Sequence, residues 1–269
     1  MTTKHGDIVE LEVTALAAGG DGVARDADGR VTFVPRTAPG DKVRARIVRA
    51  TSSLARADLL EVLHASPSRV EPPCPHFREG CGGCQWQHVA RPEQLLAKQS
   101  IVGGALRKLE GVTLHQIADP APPYGWRRRA RFHVMGGHVG LYRENTNKLL
   151  PIAHCPQLEP KLDIALGQVA ASSPPDGELA LAVGHRGDVA IGTQRPWKGA
   201  DKLVGRAAIR GVVAGDVRVG KPLIELEPGL PIEPWEFAQA SAAGNAALVA
   251  LVRAAAGPGP GTLVELYAG

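Results

Sequence analysis

The sequence predicts a mainly β protein with some α structure. It reads as a small five-stranded barrel of the OB type, a central β domain around a cysteine-rich metal site, and the opening of a Rossmann-like α/β sheet. Three observations predict this. Short strands of period 2, separated by Gly/Pro turns, fill residues 1–66. Three cysteines crowd into a Gly/Pro-rich loop at 74–84. The chain ends on an apolar run, Leu263–Tyr267, leading into Gly269.

Within the barrel, Val9, Leu11 and Val13 alternate with Glu10 and Glu12, as in a half-buried strand. Gly19-Gly20-Asp21-Gly22 and Pro39-Gly40-Asp41 read as turns around the apolar strand Val31–Val34. Val43, Ala45 and Ile47 then alternate with Lys42, Arg44 and Arg46, giving one apolar and one basic face. Strands this short suit an OB-type barrel. The basic face is open to two readings: a solvated exterior, or a groove that tracks RNA phosphates.

A proline-rich linker, Pro67–Pro73, leads into Cys74, Cys81 and Cys84, spaced C-x6-C-x2-C, with Cys155 in a separate His-Cys-Pro segment. Four thiolates can fill a tetrahedral zinc site or hold a 4Fe–4S cluster, and spacing alone does not choose between them. Gly82 and Gly83 let the backbone wrap so that Cys81 and Cys84 face one centre. His76, His88 and His154 are alternative zinc ligands, or simply neighbours.

Pro92 to Leu109 reads as a helix, with Leu95, Val102, Leu106 and Leu109 on one face. In the strand after Trp126, Ala130, Phe132 and Val134 point inward, while Arg129, Arg131 and His133 point outward. A hairpin follows through Gly136-Gly137. Arg127, Arg128, Arg129, Arg131 and Arg143 form the densest basic patch, which reads either as a solvated strand face or as a surface for phosphates beside bases that Trp126 and Tyr142 stack. Residues 178–227 read as further β-hairpins, and Trp235–Ala256 as a helix broken by Gly257-Pro-Gly-Pro-Gly261.

The 269 residues are 44% apolar and 22% charged, a globular and not a disordered composition. The net charge of +4 leans toward an anionic partner without naming one. No apolar h-region opens the chain and no run of 18 apolar residues occurs, so a cytoplasmic chain with no membrane partner is expected. In that compartment four cysteines favour metal ligation over disulfides.

Together, Cys74…Cys81-Gly-Gly-Cys84-Gln-Trp-Gln-His88 and Gln94-Leu-Leu-Ala-Lys98 resemble the cluster motif of the TRAM-containing, iron–sulfur, SAM-dependent RNA 5-methyluridine methyltransferases. The barrel turns and Val31-Thr-Phe-Val-Pro35 resemble the TRAM domain, and Cys155 matches the fourth cluster ligand. Phe237-Ala-Gln239 and Leu263-Val-Glu-Leu-Tyr267-Ala-Gly269 resemble two SAM-binding segments. There are departures: six residues separate Cys74 from Cys81 where five are common, Ser241 replaces an asparagine, and Glu265 replaces an aspartate.

The resemblance implies a 4Fe–4S cluster on Cys74, Cys81, Cys84 and Cys155, with SAM contacted by Gln239 and Tyr267. RNA would be bound by Lys42, Arg44, Arg46, Arg127, Arg129 and Arg131. It implies a TRAM barrel over 1–66, a cluster domain over 67–234 and an incomplete methyltransferase domain over 235–269. The helical excursion at about 90–121 is expected to dock on the methyltransferase domain. The substrate implied is a uridine of ribosomal RNA, with transfer RNA as the alternative. The family's nucleophilic cysteine and base fall beyond Gly269, so the chain as given is expected not to methylate RNA. A non-catalytic RNA-binding module and a zinc protein unrelated to RNA are the rival readings.

Overall fold

In the computed structural model, residues 4–259, 261, 262 and 264 are described. The expected terminal strand, Val264 apart, and Tyr267 therefore lie outside the described residues. The chain divides into two units, Met1–Ile117 with Tyr142–Leu150, and Ala118–Leu141 with Pro151–Gly269. This division differs from the expected boundary at residue 66, because the cysteine loop is fastened to the barrel.

In the first unit β1 (Ile8–Leu16), β2 (Gly22–Arg25), β3 (Val31–Val34), β4 (Lys42–Ala50) and β5 (Leu54–His64) close a barrel in the order β1-β2-β3-β5-β4. Alternation puts Leu11, Val13, Val43, Ala45 and Ile47 in its interior. Closure leaves no open edge. Asp41, in the turn before β4, is fully buried and accepts from the Ala38 and Ser66 amides (2.6 and 2.9 Å) and from the Arg69 guanidinium. Burial alone would raise its pKa, but Arg69 and the two amides together hold it below the usual carboxylate value. This one carboxylate ties the barrel to the segment leading into the cysteine loop.

That loop carries α1 (Pro75–Arg78) and continues into α2 (Arg91–Leu106). The helix expected to reach Leu109 stops three residues short, and Leu109 and Val102 are exposed. Ala97, its one buried residue, packs with Leu16, Ala38 and Val89.

The second unit is built on a sheet formed by β6 (Arg129–Met135), β7 (His138–Tyr142), β9 (Gly177–Val183), β10 (Val189–Thr193), β11 (Ile209–Ala214) and β12 (Val217–Gly220), whose edge strand β8 (Leu149–Pro151) falls at the unit boundary. The sheet order is β12-β11-β10-β9-β6-β7-β8. Residues 178–227 are not a run of hairpins as expected. β10 and β11 are parallel, and a parallel pair needs the longer connection that the 3-10 turn Ala200–Leu203 supplies. The chain then forms a small β13 (Ile224–Glu227) and β14 (Leu230–Ile232) pair.

No element was expected between Cys155 and residue 178, yet α3 (Pro160–Ala170) buries Leu162, Ala165, Leu166 and Val169 against β9 and β10. The helix α4 (Ala242–Ala256) starts seven residues later than expected, where the Ser241 hydroxyl accepts from the Gly244 amide (3.0 Å). Among the described residues no helix is long and apolar enough to cross a membrane.

Replacing Asp41 with Asn should lower the unfolding free energy by about 3 kcal/mol, because it leaves Arg69 without its counter-charge. A carboxylate whose folded pKa is depressed stabilises the protein above its unfolded pKa, and that stability is lost as pH falls through the folded value. Urea titrations across acid pH should therefore show a shallower acid decline in the variant. Equal stability and an equal decline would show that this carboxylate does not tie the loop to the barrel.

Candidate functional site

The cysteine loop belongs to the first unit. Cys74 and Cys81 are buried and Cys84 is half-buried. The Gly83 amide points at the Cys81 sulfur (3.4 Å). Burial pushes the Cys81 thiol up, the Gly83 amide opposes this, and the neighbouring Cys84 and Cys74 push it up further, so the three thiols act on one another. Among the described residues, no group of three or more His, Cys, Asp or Glu side chains is arranged to hold a metal ion. The donor set is nonetheless all soft sulfur, which suits iron–sulfur or zinc.

The loop is fastened at several points. Arg36 donates to the Phe77 carbonyl (2.9 Å), pairs with Glu144 (3.2 Å) and lies over the Phe77 ring. The Trp86 indole donates to the Gly20 carbonyl (3.1 Å), and a Cβ at Gly20 would lie 2.3 Å from Gln85, so only glycine allows that approach. The Gly82 amide donates to the Tyr142 carbonyl (3.0 Å), and Arg143 donates to the Glu79 carbonyl.

The histidines have contacts of their own. His88 is buried against Phe77, and burial lowers its pKa, against the pull of the Thr37 backbone. His76 lies beside Glu79 (3.5 Å). In the second unit, Asp163 holds the His154-Cys155 turn through the Cys155 amide (2.6 Å) and the His154 ring (3.3 Å).

The arginine stretch sits on β6, but its guanidinium groups are turned largely onto the protein. Arg128 is 3% exposed, pairs with Glu227 (2.7 Å) and donates to the Gln239 carbonyl (3.1 Å). Arg129 donates to the Ala238 (3.1 Å), Pro234 (3.2 Å) and Glu236 carbonyls. Arg131 lies over the Trp235 ring and pairs with Glu178 (3.6 Å), and Arg127 lies over Trp126. Burial, reinforced by Arg131 and Arg128, lowers the Arg129 pKa. Trp235 packs against Gly192, where a Cβ would stand 2.6 Å from its indole nitrogen. The segment carrying Gln239 is thus held by its carbonyls, with the Gln239 residue exposed.

On the barrel, Lys42 and Arg46 are exposed, but Arg44 bridges Glu61 (2.8 Å) and Glu10 (3.4 Å) on the two neighbouring strands. The basic face seen along one strand is interleaved with carboxylates across strands, since Glu12 stands opposite Lys42 and Asp58 opposite Arg46.

A feature that the sequence did not reveal is a cleft of about 810 Å³ in the second unit. It lies between the start of α3, the turn Gly184–Gly187, the end of β13 and the first turns of α4. Its residues come from five separate stretches, Arg128 among them, so no local pattern marks it.

A family model described as the TRAM domain matches residues 2–60. An uncharacterized RNA methyltransferase of Caulobacter vibrioides is 31% identical over 287 aligned positions, covering 97% of this chain and 67% of that protein. The chain belongs to the TRAM-containing RNA methyltransferases. An uncharacterized RNA methyltransferase of Gloeobacter violaceus is 39% identical over 167 residues, 59% of this chain. The matched part spans 36% of the length of that relative, and 37% of a Synechocystis one. Among solved structures, a tRNA (uracil-54, C5)-methyltransferase of Pyrococcus abyssi in complex with S-adenosyl-L-homocysteine shares the fold. Its TM-score is 0.67 at 18% identity, covering 90% of this chain and 64% of that one.

Arg129→Ala should cost about 3 kcal/mol and release residues 234–241, read as faster hydrogen exchange there with β9 and β10 unchanged. Arg129→Lys should not restore protection, because an ammonium cannot reach three carbonyls as a planar fork does. Wild-type exchange in the alanine variant would contradict the bracing role.

Proposed function

We propose that the protein methylates carbon 5 of a uridine in structured RNA, with S-adenosyl-L-methionine as methyl donor. The observation that carries this reading is the fold shared with the Pyrococcus abyssi enzyme, which is named for uracil C5 methylation. Cys74, Cys81, Cys84 and the His-Cys-Pro cysteine Cys155 are the proposed ligands of a 4Fe–4S cluster, the fourth on the sequence motif alone. When bound, such a cluster serves here to fix the loop and not to transfer electrons. Gln239 and Tyr267 are the proposed contacts to the methyl donor. The exposed Lys42 and Arg46 are the proposed backbone contacts of the TRAM barrel to RNA. None of the four cysteines serves as nucleophile, since all four are assigned as ligands.

Ribosomal RNA is the proposed substrate. The Pyrococcus abyssi enzyme acts by its name on transfer RNA, so both substrates belong in one assay. Protein made from the complete reading frame should move tritium from labelled methyl donor into unmodified ribosomal RNA, with the label recovered as 5-methyluridine. Label in transfer RNA alone would reverse the substrate assignment. Binding without transfer to either would leave a non-catalytic RNA-binding module. Protein purified without oxygen should contain iron and acid-labile sulfide, both lost on Cys81→Ala. Stoichiometric zinc without sulfide would overturn the cluster assignment.

A further inference from the structure

The cleft of the second unit has a shape and lining of its own. One lip is cationic. Lys161 follows the first residue of α3, and Arg186 sits in the turn between β9 and β10. That turn is built to hold them together. Gly187 has φ +83°, a conformation that favours glycine, and the Lys161 side chain lies against it, with its Nζ 2.1 Å from where a Cβ would stand. Gly184 is equally constrained, since a Cβ would stand 2.5 Å from the Glu225 carbonyl oxygen. Glu225 fixes the turn from below by pairing with Arg186 (3.1 Å) and His185 (3.2 Å) and accepting from the Gly229 amide.

The rest of the lining is different in character. Val183 and Leu226 are buried apolar residues of the cleft, and Val249 of α4 lines it too. Asn245 and Glu159 also line it, with Asn245 oriented by its bond to Glu227 (2.9 Å). Burial raises the Glu159 pKa against the pull of Arg128. An apolar slot edged by amide and carboxyl groups, with two cations on one lip, matches a flat heterocycle joined to a phosphate. Its volume lies within the range of about 300–1,000 Å³ usual for such ligands. Arg128 also links this cleft to the proposed donor segment, with one guanidinium bonded both to Glu227 and to the Gln239 carbonyl.

We propose that this cleft binds one unstacked nucleotide of the RNA, its base against Val183 and Leu226 and its phosphate on Lys161 and Arg186. The proposal rests on the RNA methyltransferase reading. It assigns RNA contact to residues outside both the β6 arginines and the barrel strand.

The test is photocross-linking of RNA carrying 4-thiouridine, with cross-linked peptides located by mass spectrometry, beside affinity measurements on a Lys161→Ala/Arg186→Ala double variant. Both side chains are exposed, so the variant should melt with the parent. Cross-links should fall within residues 183–187 or 242–249, and the variant should lose them and bind about tenfold more weakly. If the parent binds RNA but cross-links fall only elsewhere and the variant binds equally well, the cleft assignment is overturned and the functional reading stands. If the parent binds no RNA, both fall.

Discussion

Residues 234–241, which form no helix or strand, are held by guanidinium groups from β6 and the residue before it, and the path of the chain from β14 to α4 depends on that arrangement. Backbone carbonyls removed from water need donors, and an irregular segment has no ladder or helix to supply them. Arg128 and Arg129 supply them, bonding Gln239 and then Ala238, Pro234 and Glu236. The same bonds explain why α4 begins only at Ala242: the carbonyls that would start an earlier helix are already engaged. Arginine suits this task because its planar, permanently charged fork reaches several acceptors at once.

The first unit solves a related problem with different groups. A glycine-rich cysteine loop has little apolar surface, so polar anchors hold it: the Arg36 bonds, the Trp86 indole on Gly20, and the buried Asp41 with Arg69. Removing one partner from such a buried network costs more than the bond it made, because the remaining group stays desolvated. Both units thus use charged side chains to fix irregular backbone beside a regular sheet or barrel. The chemistry proposed here sits on that irregular backbone, as is common where a rigid scaffold presents loops.

Much of the fold was legible in the sequence. The alternation of Val9, Leu11 and Val13, and of Val43, Ala45 and Ile47, marks strand and inward face together, because period 2 is a local property. The inward Phe132 and Val134 follow for the same reason. The residues of α3 carry a helical period too, with Leu162, Ala165, Leu166 and Val169 on its buried face, but a helix this short between two loops is a weak signal. The parallel pairing of β10 with β11 was not readable, since pairing depends on the connection and not on either strand.

The site residues divide along the same line. The cysteine loop was visible because its ligand types are adjacent in sequence. The fate of the arginines was not, because their acceptors lie more than 100 residues away. Arg44 looks like part of a basic stripe until strand order places Glu10 and Glu61 on either side of it. The cleft needed five segments brought together, with Gly184 close against the Glu225 backbone and Gly187 in a left-handed conformation. Arg129 on β6 bonds the Ala238, Pro234 and Glu236 carbonyls, and the slope of RNA affinity against salt concentration, for Arg129→Ala beside the parent, tests most directly whether bracing is its role. Deleting a cation that sits on a phosphate flattens a plot of log affinity against log salt by about 0.7–0.9 units. The bracing role predicts parallel lines, with any loss of affinity in the variant equal at every salt concentration. A slope shallower by one phosphate's worth would place Arg129 on the RNA and contradict it.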